Sequence, residues 1–152
     1  MKNLTKNNIL GLDVATHTGW ATLTASGEWD FTPKRDESKG MRLIRFKAKL
    51  KEICDAEDIK VITYERVSGF HKNALIVAGE LTGVLKLFCE ERGIEYRAYS
   101  AAEIKKFASK SGKASKADMV RLAKEKYEME GNSDNQADAL HLIYLTIHDL
   151  NL

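Results

Sequence analysis

Ile9-Leu10-Gly11-Leu12-Asp13-Val14-Ala15-Thr16-His17-Thr18-Gly19-Trp20-Ala21 is the stretch that decides the architecture. Ile9 to Val14 is a short apolar run of the kind that forms a buried strand. Strand alternation puts Ile9, Gly11 and Asp13 on one face and Leu10, Leu12 and Val14 on the other. Thr16 to Gly19 reads as a turn, Trp20 to Leu23 as a second strand, Ala25-Ser26-Gly27 as another turn, and Glu28 to Phe31 as a third strand. Two closely spaced turns predict an antiparallel meander. Asp13 is the anomaly: an ionised carboxylate in an apolar strand is costly unless it is paired or binds a metal.

Outward from this segment, strands begin to alternate with helices. A polar loop from Thr32 to Lys39 holds the only proline, Pro33. Gly40 to Glu57 has helical periodicity through Leu43, Phe46, Leu50, Ile53 and Cys54. Lys60 to Glu65 reads as a strand that again closes on an acid. Asn73 to Glu91 reads as a long apolar helix stopped by Gly93, and Ile94 to Tyr99 as the last strand. Helices are expected over Ala101–Ala108, Ser115–Tyr127 and about Asn135–Leu150. The order predicts an α/β protein with a mixed sheet and helices on its faces. With 152 residues and no linker or repeat, one domain covering residues 1–152 is expected.

Composition excludes several classes. No apolar run approaches a membrane span of roughly 18 residues. MKNLTKNN lacks the apolar region of a signal peptide, so a cytoplasmic protein without membrane partners is expected. Cys54 and Cys89 are far apart and form no metal-binding pair; they read as core thiols in a reducing compartment. The net charge is +2, but Lys105 to Lys126 holds eight basic residues and two acids. That block carries +6 and leaves about −4 for the remainder. A basic block facing isolated acids suits a polyanion held near a cation site.

Three acids stand out by context: Asp13, Glu65 and Asp138. Asp138 lies in the last helix, whose start carries Ser133 and Gln136 in capping-box spacing. Asp134, Asn135 and Asp138 then share a face, and the stripe Leu140, Ile143, Tyr144 and Ile147 can dock on the sheet. Such docking would carry Asp138 toward Asp13 and Glu65. Converging carboxylates suit hard divalent cations, and two ions about 4 Å apart can drive in-line phosphodiester hydrolysis. Each acid also has a structural reading: a turn acid for Asp13, a salt-bridge partner for Glu65, helix-start acids for Asp134 and Asp138. Lys113 and Lys116 flank a helix start capped by Ser115, a place that favours anions. His141 follows Asp138 by three residues, where it either faces the site or packs. Trp20 and Trp29 read as sheet core.

Taken together these motifs resemble one family. GLDVATHTGWA (Gly11–Ala21), YERV (Tyr64–Val67), the lysine-rich EIKKFASKSGKASKADMV (Glu103–Val120) and DNQADAL (Asp134–Leu140) are similar, in order, to the motifs of RuvC-type Holliday-junction resolvases. The resemblance spans Ile9 to about Leu145. It implies a ribonuclease-H-like fold with a five-stranded mixed sheet, β-β-β-α-β-α-β-α, and helices on both faces. It implies a homodimeric crossover junction endodeoxyribonuclease of DNA recombination and repair, acting on branched DNA such as the four-way junction. Two Mg²⁺ ions per site, replaceable by Mn²⁺, would be held by Asp13, Glu65 and Asp138. The family's second C-terminal acid falls on Asn135; Asp134 is then the preferred fourth ligand, with Asn135 as a neutral oxygen ligand. Lys105 and Lys116 would sit near the scissile phosphate, and Lys106, Lys110 and Lys113 would add DNA contacts. Where the family often has an aromatic wedge, this chain has Ser68, and Phe70 is the nearest aromatic. That departure leaves a relaxed flap or fork nuclease as the alternative. A DNA-binding module without catalysis is a further one, disfavoured by the intact acids. An ATP binder, suggested by the D-x-x-T-x-x-G spacing from Asp13 to Gly19, would need a second such domain.

Overall fold

A computed structural model describes residues 3–152. Five strands form one sheet in the order β3-β2-β1-β4-β5. They are β1 (Ile9–Asp13), β2 (His17–Ala21), β3 (Ser26–Asp30), β4 (Val61–Glu65) and β5 (Glu95–Tyr99). The first three are antiparallel neighbours, whereas β4 and β5 run parallel to β1. Helices α1 (Met41–Glu57) and α2 (Lys72–Arg92) are the crossovers, and α3 (Ala101–Ser109), α4 (Lys116–Tyr127) and α5 (Asp134–Asp149) complete the chain.

The expected alternation of β1 holds. Leu10, Leu12 and Val14 pack with Phe46, Leu50 and Cys54 of α1 and Leu81, Leu85, Phe88 and Cys89 of α2. Ile9 packs on the opposite face with Ala137, Ala139, Leu140, Ile143 and Ile147 of α5. Trp20 and Trp29 stack 5.6 Å apart against the first cluster, as core aromatics do. Cys54 and Cys89 are unpaired and buried, and burial pushes both thiols up to about 12.

The boundaries differ where local hydrogen bonding outweighs turn composition. β2 begins at His17, not Trp20, because Thr18 turns its hydroxyl back to Ala15, donating to its carbonyl (2.6 Å) and accepting from its N–H (3.2 Å). The chain therefore reverses by Thr16, and His17 already pairs with Asp30. β3 correspondingly starts at Ser26. The capping box expected at Ser133 is half present. Ser133 accepts from the Gln136 N–H (3.1 Å), but the Gln136 amide donates to Ser26 Oγ on β3 (2.8 Å), tying the helix start to the sheet.

α5 lies unusually close to β1 and β2. An ideal Cβ on Gly19 would sit 1.9 Å from the Asn135 carbonyl oxygen, and one on Gly11 would sit 2.5 Å from that of Ala139. Both obstructions are backbone, so no side chain can swing aside. Gly19→Ala is expected to lift the first turn of α5 and to cost about 1–3 kcal/mol, as overpacking does. Urea unfolding checks this; an unchanged midpoint would mean that the close approach is not a requirement of the fold.

Candidate active site

Asp13 ends β1 and Glu65 ends β4. The parallel register pairs Ile9 with Val61 and Leu12 with Tyr64, so one further step places Asp13 beside Glu65. Both side chains point to the face that carries α5. The two glycines let α5 descend until Asp138 meets Asp13, close enough for a hydrogen bond between the two carboxyl groups.

The electrostatics follow from burial. Loss of water holds Asp13 well above the usual carboxylate range, and the charges of Asp138, Glu65 and Asp134 add to that. Asp138 is pushed up to about 7, chiefly by burial and then by Glu65; Asp134 adds to this, while the hydrogen bond from Asp13 and the charge of Lys105 oppose it. Burial also raises Glu65, against the pull of Lys105. Asp134, at the first turn of α5, is more exposed and lies 3.5 Å from the Lys116 ammonium. Four carboxyls and two lysines from β1, β4, α3, α4 and α5 thus act on one locality.

This donor set fits hard divalent cations. It is all oxygen, and it crowds buried acids that raise one another and that a cation would compensate. Among the described residues no three such groups already stand at ligand spacing.

The other residues singled out from sequence divide into three groups. Lys106, Lys110 and Lys113 are exposed on α3 and the loop after it. Asn135 contributes its main chain to the seat on Gly19. Phe70 is fully exposed on the loop between Glu65 and α2. His141 does not face the carboxylates: it is buried, with Nε2 2.9 Å from the Met119 carbonyl and its ring edge-on to Tyr127. The packing reading of His141 therefore stands, since helix rotation turns position 141 from the sheet toward α4. Glu28 went unnoticed in the sequence. It contacts the Ser133 hydroxyl at the cap of α5 and, through its other oxygen, His17 at 3.3 Å. Only the register of β3 reveals that proximity.

The family model described as crossover junction endodeoxyribonuclease RuvC matches residues 9–146. The chain belongs to the RuvC family. Its enzymatic class is accordingly that of a structure-specific DNA nuclease, a Holliday-junction resolvase with divalent-metal dependence of the family kind. Solved structures agree on the ribonuclease-H-like fold. Thermus thermophilus RuvC superposes with a TM-score of 0.77 at 17% identity, covering 94% of this chain and 96% of that one. The T. thermophilus RuvC complex with a Holliday junction substrate gives 0.73 at 18% identity, covering 90% of each chain. The yeast mitochondrial Holliday junction resolvase Ydc2 gives 0.59 at 14% identity, covering 95% of this chain and 79% of that one. A search of curated proteins finds no sequence match.

Raised carboxyls carry a stability consequence. A group whose folded pKa exceeds its unfolded value of about 3.9 destabilises the fold progressively as pH rises through the folded value. For Asp138 that window runs from about pH 4 to about 7, and Asp13, raised by burial and by its acidic neighbours, acts in the same direction. His141, held neutral by burial, acts in the opposite sense below its ordinary pKa. A difference between variants cancels it. Asp13→Asn is expected to melt higher than wild type in EDTA, with the gap widening from pH 5.5 to 8. A gap independent of pH would contradict the mutual repulsion of the buried acids.

Proposed function

We propose that this chain hydrolyses phosphodiesters of branched DNA as a homodimer, with Asp13, Glu65, Asp138 and Asp134 as the ligands of two Mg²⁺ ions. The observation that carries this reading is the buried Asp13–Asp138 pair, flanked by Glu65 and Asp134 and faced by two lysines. When bound, the two cations would supply the activated water and the charge stabilisation of in-line hydrolysis. The chain's own residues do the rest. Asp13 and Glu65, fixed at adjacent strand ends, form a rigid floor. Asp138 and Asp134 approach from a helix that is seated on glycines. Lys105, partly buried beside Glu65, is placed to neutralise a phosphate, and Lys116 can leave Asp134 for the same purpose, since an exposed ion pair of this kind holds weakly. Lys106, Lys110 and Lys113 would add contacts to the DNA backbone that are insensitive to sequence. Asn135 remains a neutral candidate ligand beside Asp134.

Phe70 supports preference for a junction. Its position directly after the Glu65 strand, with the ring entirely in solvent, suits stacking on a base displaced at the crossover. This offsets the serine at 68 and favours a resolvase over a relaxed flap nuclease. Cleavage of a synthetic four-way junction, a flap and linear duplex in Mg²⁺ tests the reading. The junction should be cut fastest, Asp13→Asn should abolish cutting while leaving binding largely intact, and Phe70→Ala should slow cutting of the junction most. Equal cutting of all three substrates would reject junction specificity; normal cutting by Asp13→Asn would reject the metal site.

Dimerisation is supported by α2. Its outward face bears Ile76 (49% exposed), Gly79, Gly83 and Leu87 (57% exposed), spaced at helical intervals opposite the buried face. A Cβ on either glycine would meet nothing within 4 Å. Two copies can therefore bring this seam together about a two-fold axis, which is what cutting two strands symmetrically requires. Leu87→Glu is expected to yield monomers in sedimentation while the fold persists. A dimer of unchanged stability would place the interface elsewhere.

A further inference from the structure

The eight basic residues between Lys105 and Lys126 do not form one patch. Lys126 is spent on structure, its ammonium donating to the Ala108 carbonyl (2.6 Å) and clamping α4 to α3. Lys105 lies in the active site. Three of the others, Lys116, Arg121 and Lys124, line a single open groove of about 620 Å³ between α4 and the segment before α5. Ala117 and Val120 form its apolar floor, and Asn132, hydrogen-bonded by Lys124, forms part of the far wall. The groove opens at one end on Asp134, which also lines it, and so is continuous with the carboxylate cluster.

We infer that this groove is the track along which one duplex arm of the branched substrate leaves the active site. The inference rests on the nuclease reading above. From Lys116 to Lys124 the helix rises about 12 Å. Phosphates on one strand of a duplex recur every 3.4 Å or so along the axis, so three to four of them pass that span. Cations at both ends and at Arg121 match such a row, while the small apolar floor accommodates sugar edges and offers no groups that read bases. The track is therefore indifferent to sequence, as a binder of junction arms must be. Glu125 opposes it: this acid lines the groove and lies 3.3 Å from the Arg121 guanidinium, occupying a cation that a phosphate would otherwise take.

Arg121, Lys124 and Glu125 are exposed and lie outside the proposed catalytic machinery, so their replacement leaves the fold and the chemical step intact. The test is the salt dependence of binding to a fixed-sequence four-way junction, measured in an Asp13→Asn background. Each phosphate neutralised contributes about 0.9 to the slope of log affinity against log salt. The double replacement Arg121→Ala with Lys124→Ala is expected to lower the slope by about 0.9 or more in the chain with Glu125, and by nearly 2 in the Glu125→Gln background, where Arg121 is released. For every phosphate no longer neutralised, the ratio of wild-type to variant affinity changes about 3.5-fold between 50 and 200 mM salt. Glu125→Gln, by releasing Arg121, is expected to tighten binding. The maximal cleavage rate at saturating junction, in the Asp13-intact protein, should not move in any of these variants. If the slope and the hydroxyl-radical footprint on the arms stay as in wild type while the junction is still bound and cut, the track lies elsewhere and the nuclease reading survives. If the wild-type chain neither binds nor cuts a junction, both inferences fall together.

Discussion

The close approach of α5 to the sheet is the constraint on which the site depends. Two glycines, one on each of two adjacent antiparallel strands, remove the side chains that would otherwise hold a helix at ordinary packing distance. Helix and sheet then meet backbone to backbone, and the acids of the helix reach the acid at the end of β1. The same approach is secured sideways by Gln136 on Ser26 and by the bond between Ser133 and Glu28, both on β3. A site assembled from such distant parts of the chain is only as well defined as this seat.

The position of the acids has an energetic corollary. Burying carboxyl groups beside one another is unfavourable unless protons or cations compensate. Here the surrounding structure tolerates that arrangement because the strand ends and the first turns of α5 are held by hydrogen bonds and packing away from the site. Rigid elements hold the acids, whereas Lys106, Lys110, Lys113 and Phe70 stand exposed around them.

Much of this was legible from the order of residues. The alternation in β1 assigned each side chain to its correct face, because a period of two leaves no freedom once one face is apolar. Asp13, Glu65 and Asp138 were conspicuous as charges in apolar surroundings, and their convergence followed from docking the stripe on α5. What could not be read depended on contacts distant in sequence. The early start of β2 depends on one threonine hydroxyl. The diversion of Gln136 to β3 depends on register, and the inward turn of His141 on where α4 packs. Gly11 and Gly19 were visible as motif positions, but the reason for them lay in a helix more than a hundred residues away.

The two native cysteines bring a practical benefit. With their thiols held near 12 in the core, the reactive thiolate amounts to roughly one part in ten thousand at pH 8, and the sulfurs are shielded from solvent as well. A cysteine introduced on the surface would therefore outcompete them for maleimide dyes or spin labels. Distances between helices, copies or DNA arms become measurable by spectroscopy in the otherwise unaltered polypeptide.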